Sequence, residues 1–394
     1  MVESVAHGDD WVEGYDDDDD SGDCQIDEYD LTATPNDFNV KTIFDYIEAG
    51  VIKIPSLQRN YVWEINRASK LIESLILGLP VPPIFLYEAA RNEFLIIDGQ
   101  QRLFSIFYFI KQRFPKPDKR VKLRRLVVRH GKVPDEVLHD DNYFTDFKLK
   151  LPGNVPEQIN KFNRLQYDTL DSYKLQFELR PLRNVIVKQN APKNDDSSIY
   201  EIFNRLNSGG VNLSRAEIRV TLYPSAFYNM LYQVNELPEW KRLLCQPEPS
   251  LRGEDVEILL RGFAFLIEGD NYTSPLDKFL NQFAKQCQSY DKERSDYLKG
   301  IFTTFLGASV KLPEEAFFNK SNRFNTALFE AVFRAVCWER FQNNQFVDGI
   351  ISYEKIKKLK NDEAFLLTLQ KGGTMSKANV TTRLQRATEI VGAL

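Results

Sequence analysis

The run Ile84-Phe85-Leu86-Tyr87, followed by a polar stretch from Ala89 to Glu93 and then by Phe94-Leu95-Ile96-Ile97-Asp98-Gly99-Gln100-Gln101-Arg102-Leu103, carries the fold. Two short apolar runs separated by polar residues predict a hairpin. Pro82 and Pro83 force an extended chain into its first strand. After Gly99, Leu103, Ile106, Phe107 and Ile110 recur at helical spacing up to Pro115. A strand that ends at Asp98, turns on Gly99 and opens a helix at Gln100 brings helix-terminal amides and the positive end of a helix dipole together. Anions bind readily at such a point. Gln100 and Gln101 add amide donors, and Arg102 adds a guanidinium fork matched to phosphate oxygens. Asp98 adds a carboxylate able to hold a divalent cation such as Mg²⁺ or to orient a water. The same residues also fit an ordinary tight turn, in which Asp98 caps the helix and Arg102 pairs with it.

Upstream, Ile52-Lys53-Ile54-Pro55 ends a short extended segment. Ala68, Leu71, Ile72, Leu75 and Ile76 form one stripe of a helix with Asn66 as its expected cap and Gly78 and Pro80 as its stop. Between them, Gln58-Arg59-Asn60-Tyr61-Val62-Trp63 concentrates polar donors and rings. Gln58 and Arg59 suit a second anion contact, whereas Tyr61 and Trp63 fit either a ligand or the core. Downstream, Lys174 to Leu179 alternates like a strand, and Val185-Ile186-Val187 reads as another. A helix through Ile199, Ile202, Phe203 and Leu206 closes on Asn207-Ser208-Gly209-Gly210, and Ser214-Arg215-Ala216-Glu217 forms a capping box. The glycine-paired loop can bring Asn204, Arg205 and Asn207 to a base, sugar or phosphate, or it simply ends a helix. From about Pro238 strand signals fade. Amphipathic segments at Val256 to Ile267, Leu276 to Cys287, Ala327 to Phe341 and Val380 to Val391 predict an all-helical second domain.

Charge divides unevenly along the 394 residues. Residues 1 to 30 carry thirteen acids and no Lys or Arg, which leaves 43 of the 56 acids against all 51 bases in the body. The five consecutive aspartates Asp16 to Asp20 repel one another and offer little to bury, so residues 1–36 are expected to be a disordered acidic tail. Residues 111 to 133 hold ten bases against Asp118 alone. Lys119, Arg120, Lys122, Arg124, Arg125 and Arg129 are therefore candidate contacts to nucleic-acid phosphates. A solvated basic loop is the plain alternative, and the tail could act as a nucleic-acid mimic lying on that surface.

Several classes are disfavoured. No run of eighteen apolar residues predicts a membrane helix, and an acidic start does not suit a signal peptide, so a soluble cytoplasmic protein is expected. Cys24, Cys245, Cys287 and Cys337 lack the paired spacing of a zinc site or disulfide framework. There is no Walker-type lysine loop.

Four segments taken in order carry a resemblance. They are Ile54-Pro55-x-x-Gln58-Arg59-x-Tyr61-Val62-Trp63, the helix from Leu71 to Pro82, Ile97-Asp98-Gly99-Gln100-Gln101-Arg102-Leu103, and Ile202-Phe203-Asn204-Arg205-Leu206-Asn207-x-Gly209-Gly210-x-x-Leu213-Ser214-x-x-Glu217. Over roughly residues 37 to 235 they resemble the N-terminal domain family of GmrSD-type restriction systems. The resemblance implies an α+β protein with a ParB/sulfiredoxin-like N-terminal domain (37–235) and an all-helical C-terminal domain (236–394). It implies a nucleoside triphosphate as ligand, hydrolysed by some members in defence against foreign DNA. By position in the Asp-Gly-Gln-Gln-Arg signature, Asp98, Gln100, Gln101 and Arg102 inherit the active-site role. Mg²⁺ at Asp98 and a nucleotide held by Gln58, Arg59, Tyr61, Trp63, Gly99, Asn204, Arg205 and Asn207 then follow as expectations.

One departure stands out. DNA-cutting members carry a histidine-dependent HNH nuclease domain after this region, whereas here the only histidines are His7, His130 and His139. A nuclease would be a separate subunit, or the N-terminal domain acting through carboxylates. A non-enzymatic DNA-binding module, a homo-oligomer, and a helical domain that assembles with another defence subunit are the remaining expectations.

Overall fold

A strand whose consecutive residues are all apolar must be covered on both faces, and this is the arrangement found. The computed structural model describes residues 11–12, 29–53, 61–120, 122–123, 126, 133–152, 160–191, 198–199, 202, 214–250, 253–370 and 373–392. They fall into two compact units. One spans Asp27–Leu222, and the other comprises Met1–Ile26 with Tyr223–Leu394.

The first unit is built on a five-stranded mixed sheet of order β1-β7-β3-β4-β2. Its strands are β1 (Asp30–Asn39), β2 (Ile52–Lys53), β3 (Ile84–Ala90), β4 (Glu93–Asp98) and β7 (Pro181–Ala191). The expected hairpin is present, with Leu86 opposite Ile96 and Phe85 opposite Asp98. β7 runs parallel to β3, and β2 parallel to β4. Ile84, Leu86 and Ile96 pack on one side with helices α1 (Val40–Glu48), α2 (Ile65–Leu77) and α3 (Gln100–Ile110). Tyr87, Leu95, Ile97 and Val187 pack on the other with Ile199 and Ile218. A small ladder, β5 (Arg113–Pro115) with β6 (Phe144–Asp146), and the short helices α4 (Asp135–Leu138) and α5 (Ser172–Glu178) join the first of these sides through Phe114, Phe144, Leu138 and Phe177. Helix α6 (Arg215–Leu222) opens on the expected capping box. Ser214 N donates to Glu217 Oε2 at 2.8 Å, and Glu217 N donates to Ser214 Oγ at 3.2 Å.

Three local expectations are corrected. Residues 30 to 36, assigned above to the tail, belong to β1, which pairs antiparallel with β7 over its whole length. This strand is almost entirely exposed, so backbone hydrogen bonds rather than apolar burial hold it. Acids and Pro35 are the composition that protects a sheet edge. Lys174 to Leu179, expected as a strand, instead forms the end of helix α5 and its C-cap Leu179, with only Phe177 buried. Helix α2 starts at Ile65 after Glu64, one residue ahead of the expected Asn66 cap.

The second unit is helical among its described residues: α7 (Ala226–Asn235), α8 (Pro238–Leu244), α9 (Glu254–Glu268), α10 (Leu276–Gln286), α11 (Lys292–Ala308), α12 (Thr326–Gln342), α13 (Tyr353–Lys360), α14 (Glu363–Leu367) and α15 (Lys377–Val391). Compact packing places α7 here rather than with the sheet. Its Phe227 ring lies 5.5 Å from Phe263 and 5.7 Å from Phe283. Around buried Trp240, rings of Phe302, Phe324 and Phe329 pack at 5.0 to 6.1 Å. Gly262 lets α12 approach, since a Cβ there would stand 3.0 Å from Phe329. Two buried arginines in this core are paired, Arg261 with Glu330 and Arg334 with Asp270. No described helix is long and apolar enough to cross a membrane.

Candidate functional site

The site begins with a backbone turn. Gly99 adopts φ 100° and ψ 6° between β4 and α3, a conformation L side chains rarely adopt. An added Cβ would stand 3.1 Å from Ile84 Cγ1 and 3.2 Å from Arg102 Nη2. Glycine is thus required twice, by torsion and by space.

No described side chain caps α3. The Asp98 cap expected of a plain turn is absent, because the carboxylate is engaged elsewhere: Arg102 Nη2 donates to Asp98 Oδ2 at 2.7 Å. The pairing half of that alternative is therefore present. Arg102 also donates to the Pro83 carbonyl at 3.2 Å, and its side chain is 15% exposed against 41% for Asp98. Two donors at this turn remain unused. Arg102 Nε and Gln100 Nε2 are both buried without a hydrogen-bond partner among the described residues.

Gln101 faces another task. Its Oε1 accepts from Val62 N at 2.9 Å and from Trp63 N at 3.3 Å, tying the upstream segment to the first turn of α3. One turn on, Ser105 Oγ donates to the Gln101 carbonyl at 2.7 Å, and the Tyr61 and Ser105 hydroxyls are 2.8 Å apart. Of the two places open to Tyr61, ligand or core, it occupies the core. It is 5% exposed, with Phe104, Tyr108 and Phe114 rings edge-on at 5.3 to 6.1 Å, and burial pushes its phenol well above the usual range. Trp63 is half-buried, with the Arg67 guanidinium 4.4 Å from its ring centroid.

The basic stretch is also revised in part. Arg120, expected on DNA phosphates, turns inward. Its Nη2 donates to the Trp63 carbonyl at 2.9 Å, its guanidinium lies 5.5 Å from the Tyr61 ring, and its Nε is buried. Lys119 pairs with Asp118 at 2.9 Å, and Lys122 is exposed. Arg124, Arg125 and Arg129 lie outside the described residues, as do Gln58, Arg59, Asn204, Arg205 and Asn207. On either side of residues 54–60, which lie outside the described residues, Lys53 pairs with Leu95 and Tyr61 meets Ser105 in the second turn of α3.

Among the described residues no group of three or more His, Cys, Asp or Glu could hold a metal. Asp98 supplies one carboxylate, already committed to Arg102, so these residues do not by themselves make a resident Mg²⁺ site. Sequence reasoning did not single out Ser105, Arg67 or the Pro83 carbonyl. The first two stand one helical turn beyond Gln101 and Trp63, a spacing that could have found them; a carbonyl acceptor leaves no trace in residue type. Buried Asn184, opposite Ile84 on β7, keeps its Oδ1 unpartnered and was equally unforeseeable in an apolar strand.

Residues 40–224 match the family described as GmrSD restriction endonuclease, N-terminal domain. An uncharacterized protein of Methanocaldococcus jannaschii is 23% identical over 242 residues, covering 47% of this chain and 42% of that protein. The chain thus spans less than half the length of the curated relative it matches. No solved structure matches the chain.

Proposed function

Taking residues 40–224 as a GmrSD N-terminal domain, a part of restriction-type defence systems, we propose that the N-terminus of α3 binds the phosphate chain of a nucleoside triphosphate and that its hydrolysis regulates action on foreign DNA in the cytoplasm. The observation that carries this is the pair of buried donors, Gln100 Nε2 and Arg102 Nε, left without acceptors among the described residues at a helix end that no described side chain caps. An unsatisfied buried donor costs about 1–3 kcal/mol. An anion at this end would satisfy both while meeting the helix dipole.

In this reading Arg102 and Gln100 hold phosphate oxygens, and Gly99 lets the backbone approach. Gln101 acts by holding Val62 and Trp63, the residues next to Gln58 and Arg59. Asp98 keeps Arg102 aimed before the ligand arrives and then orients the attacking water. Mg²⁺ enters as the counterion of the triphosphate, with Asp98 lending at most one oxygen. Residues 223–394 contain no histidine to serve an HNH-type centre, and in this reading DNA cleavage falls to another component.

A thermal-shift screen of ATP, GTP, CTP and UTP, with and without Mg²⁺, tests this. At least one nucleotide should raise the melting temperature of the wild-type chain, and Arg102→Ala and Gln100→Ala should each lose that rise. If no nucleotide shifts the wild-type chain, or if Arg102→Ala keeps the full shift, the proposal fails.

A further inference from the structure

Trp11-Val12 is an apolar pair set among Asp9, Asp10 and Glu13, in a segment with little else to bury. It is nevertheless half-buried, through three separate contacts to the helical unit. The Trp11 carbonyl accepts from Phe324 N at 2.9 Å, and Val12 pairs with Phe324 in a parallel bridge. The indole Nε1 donates to Glu254 Oε2 at 3.0 Å, at the first residue of α9. The Trp11 ring lies 6.5 Å from the ring of Phe324.

Phe324 is itself well placed to receive an extended segment. It stands in a tight loop in which Asn319 N donates to the Arg323 carbonyl and Asn325 N donates to the Phe317 carbonyl, both at 2.8 Å. Its own ring is fully buried against Trp240 and Phe329. The receiving edge is therefore rigid, and it offers a backbone donor, a carboxylate for an indole and an aromatic surface. That set recognises a strand-like peptide carrying Trp, the mode in which main-chain hydrogen bonds give affinity and one side chain gives selectivity.

We propose that Trp11-Val12 is a docking motif and the Phe324 edge its receptor, so that the acidic N-terminal segment is pinned reversibly to the helical unit of its own chain. The occupant arrives pre-tethered. The contact is intramolecular, so a modest one suffices to hold. A competing extended peptide with Trp and acidic flanks would release it.

The experiment uses the full-length chain and a fluorescein-labelled peptide of residues 6–20. By anisotropy, the peptide should bind the Trp11→Ala chain at least about tenfold more tightly than the wild-type chain, whose site is already filled. The same peptide carrying Trp11→Ala should not bind, and Glu254→Gln in the Trp11→Ala chain should weaken binding of the parent peptide. Circular dichroism of each variant confirms that the fold is kept. Equal binding to wild-type and Trp11→Ala chains, or binding that survives Trp11→Ala in the peptide, would overturn the assignment. So would a concentration-dependent wild-type dimer that Trp11→Ala abolishes, since the occupant would then be a second copy.

Discussion

Replacing Gly99 by alanine tests the site at its narrowest point. At φ 100° an L residue forfeits about 1–2 kcal/mol from backbone sterics alone. The new methyl would also press on Ile84 at 3.1 Å and on the Arg102 guanidinium at 3.2 Å. Ile84 is buried in the sheet and cannot retreat, so Arg102 must move. Displacing it weakens a half-exposed ion pair to Asp98, worth up to about 1 kcal/mol. The total is about 1–3 kcal/mol. For a unit of about 200 residues each kcal/mol lowers the melting temperature by about 2–4 °C, which gives a fall of about 2–12 °C. Differential scanning fluorimetry with and without triphosphate reads both consequences, because the re-aimed amides should also abolish the ligand-induced rise. A Gly99→Ala chain that melts like wild type and still responds to nucleotide would refute both the torsional requirement and the placement of the anion.

Other positions separate holding from binding. Gln101→Ala should cost about 1–2 kcal/mol in urea unfolding by releasing Val62 and Trp63. Gln101→Glu, which keeps an acceptor oxygen, should recover most of that loss. In the helical unit, Glu330→Ala strands buried Arg261 and should destabilise by about 3–5 kcal/mol, read by the same titration. Asp362 caps α14 and accepts from two nitrogens of Arg386, which lowers its carboxyl to about 2. Its folded pKa lies below the usual value of about 4. The stabilisation is therefore complete above about pH 4 and disappears as pH falls towards 2. An acid titration of Asp362→Asn should be flatter than wild type across that window, and an unchanged profile would contradict the pairing.

Sequence spacing alone determined much of the domain. Continuous apolar runs at Ile84–Tyr87 and Phe94–Ile97 required strands covered on both faces, and the punctuation by Gly99 required an abrupt entry into α3. Helical periodicity after Pro238 required a helical unit. These signals are local, and hydrophobic burial enforces them wherever the chain packs. The anion-ready turn was legible for the same reason, since a strand, a glycine and a helix start follow one another directly.

What spacing could not decide was how each donor is used. Gln101 and Arg102 are neighbours of similar polarity, yet one is taken up by amides 39 and 38 positions upstream, while the other keeps an unused buried nitrogen. Arg120 looked like a surface base until the Trp63 carbonyl, 57 positions away, claimed it. β1 escaped notice because an edge strand held by backbone hydrogen bonds needs no apolar pattern. Residue type states what a group can bond. Only packing between distant segments decides which of its partners arrives first, because a hydrogen bond satisfied inside the protein is no longer offered to a ligand.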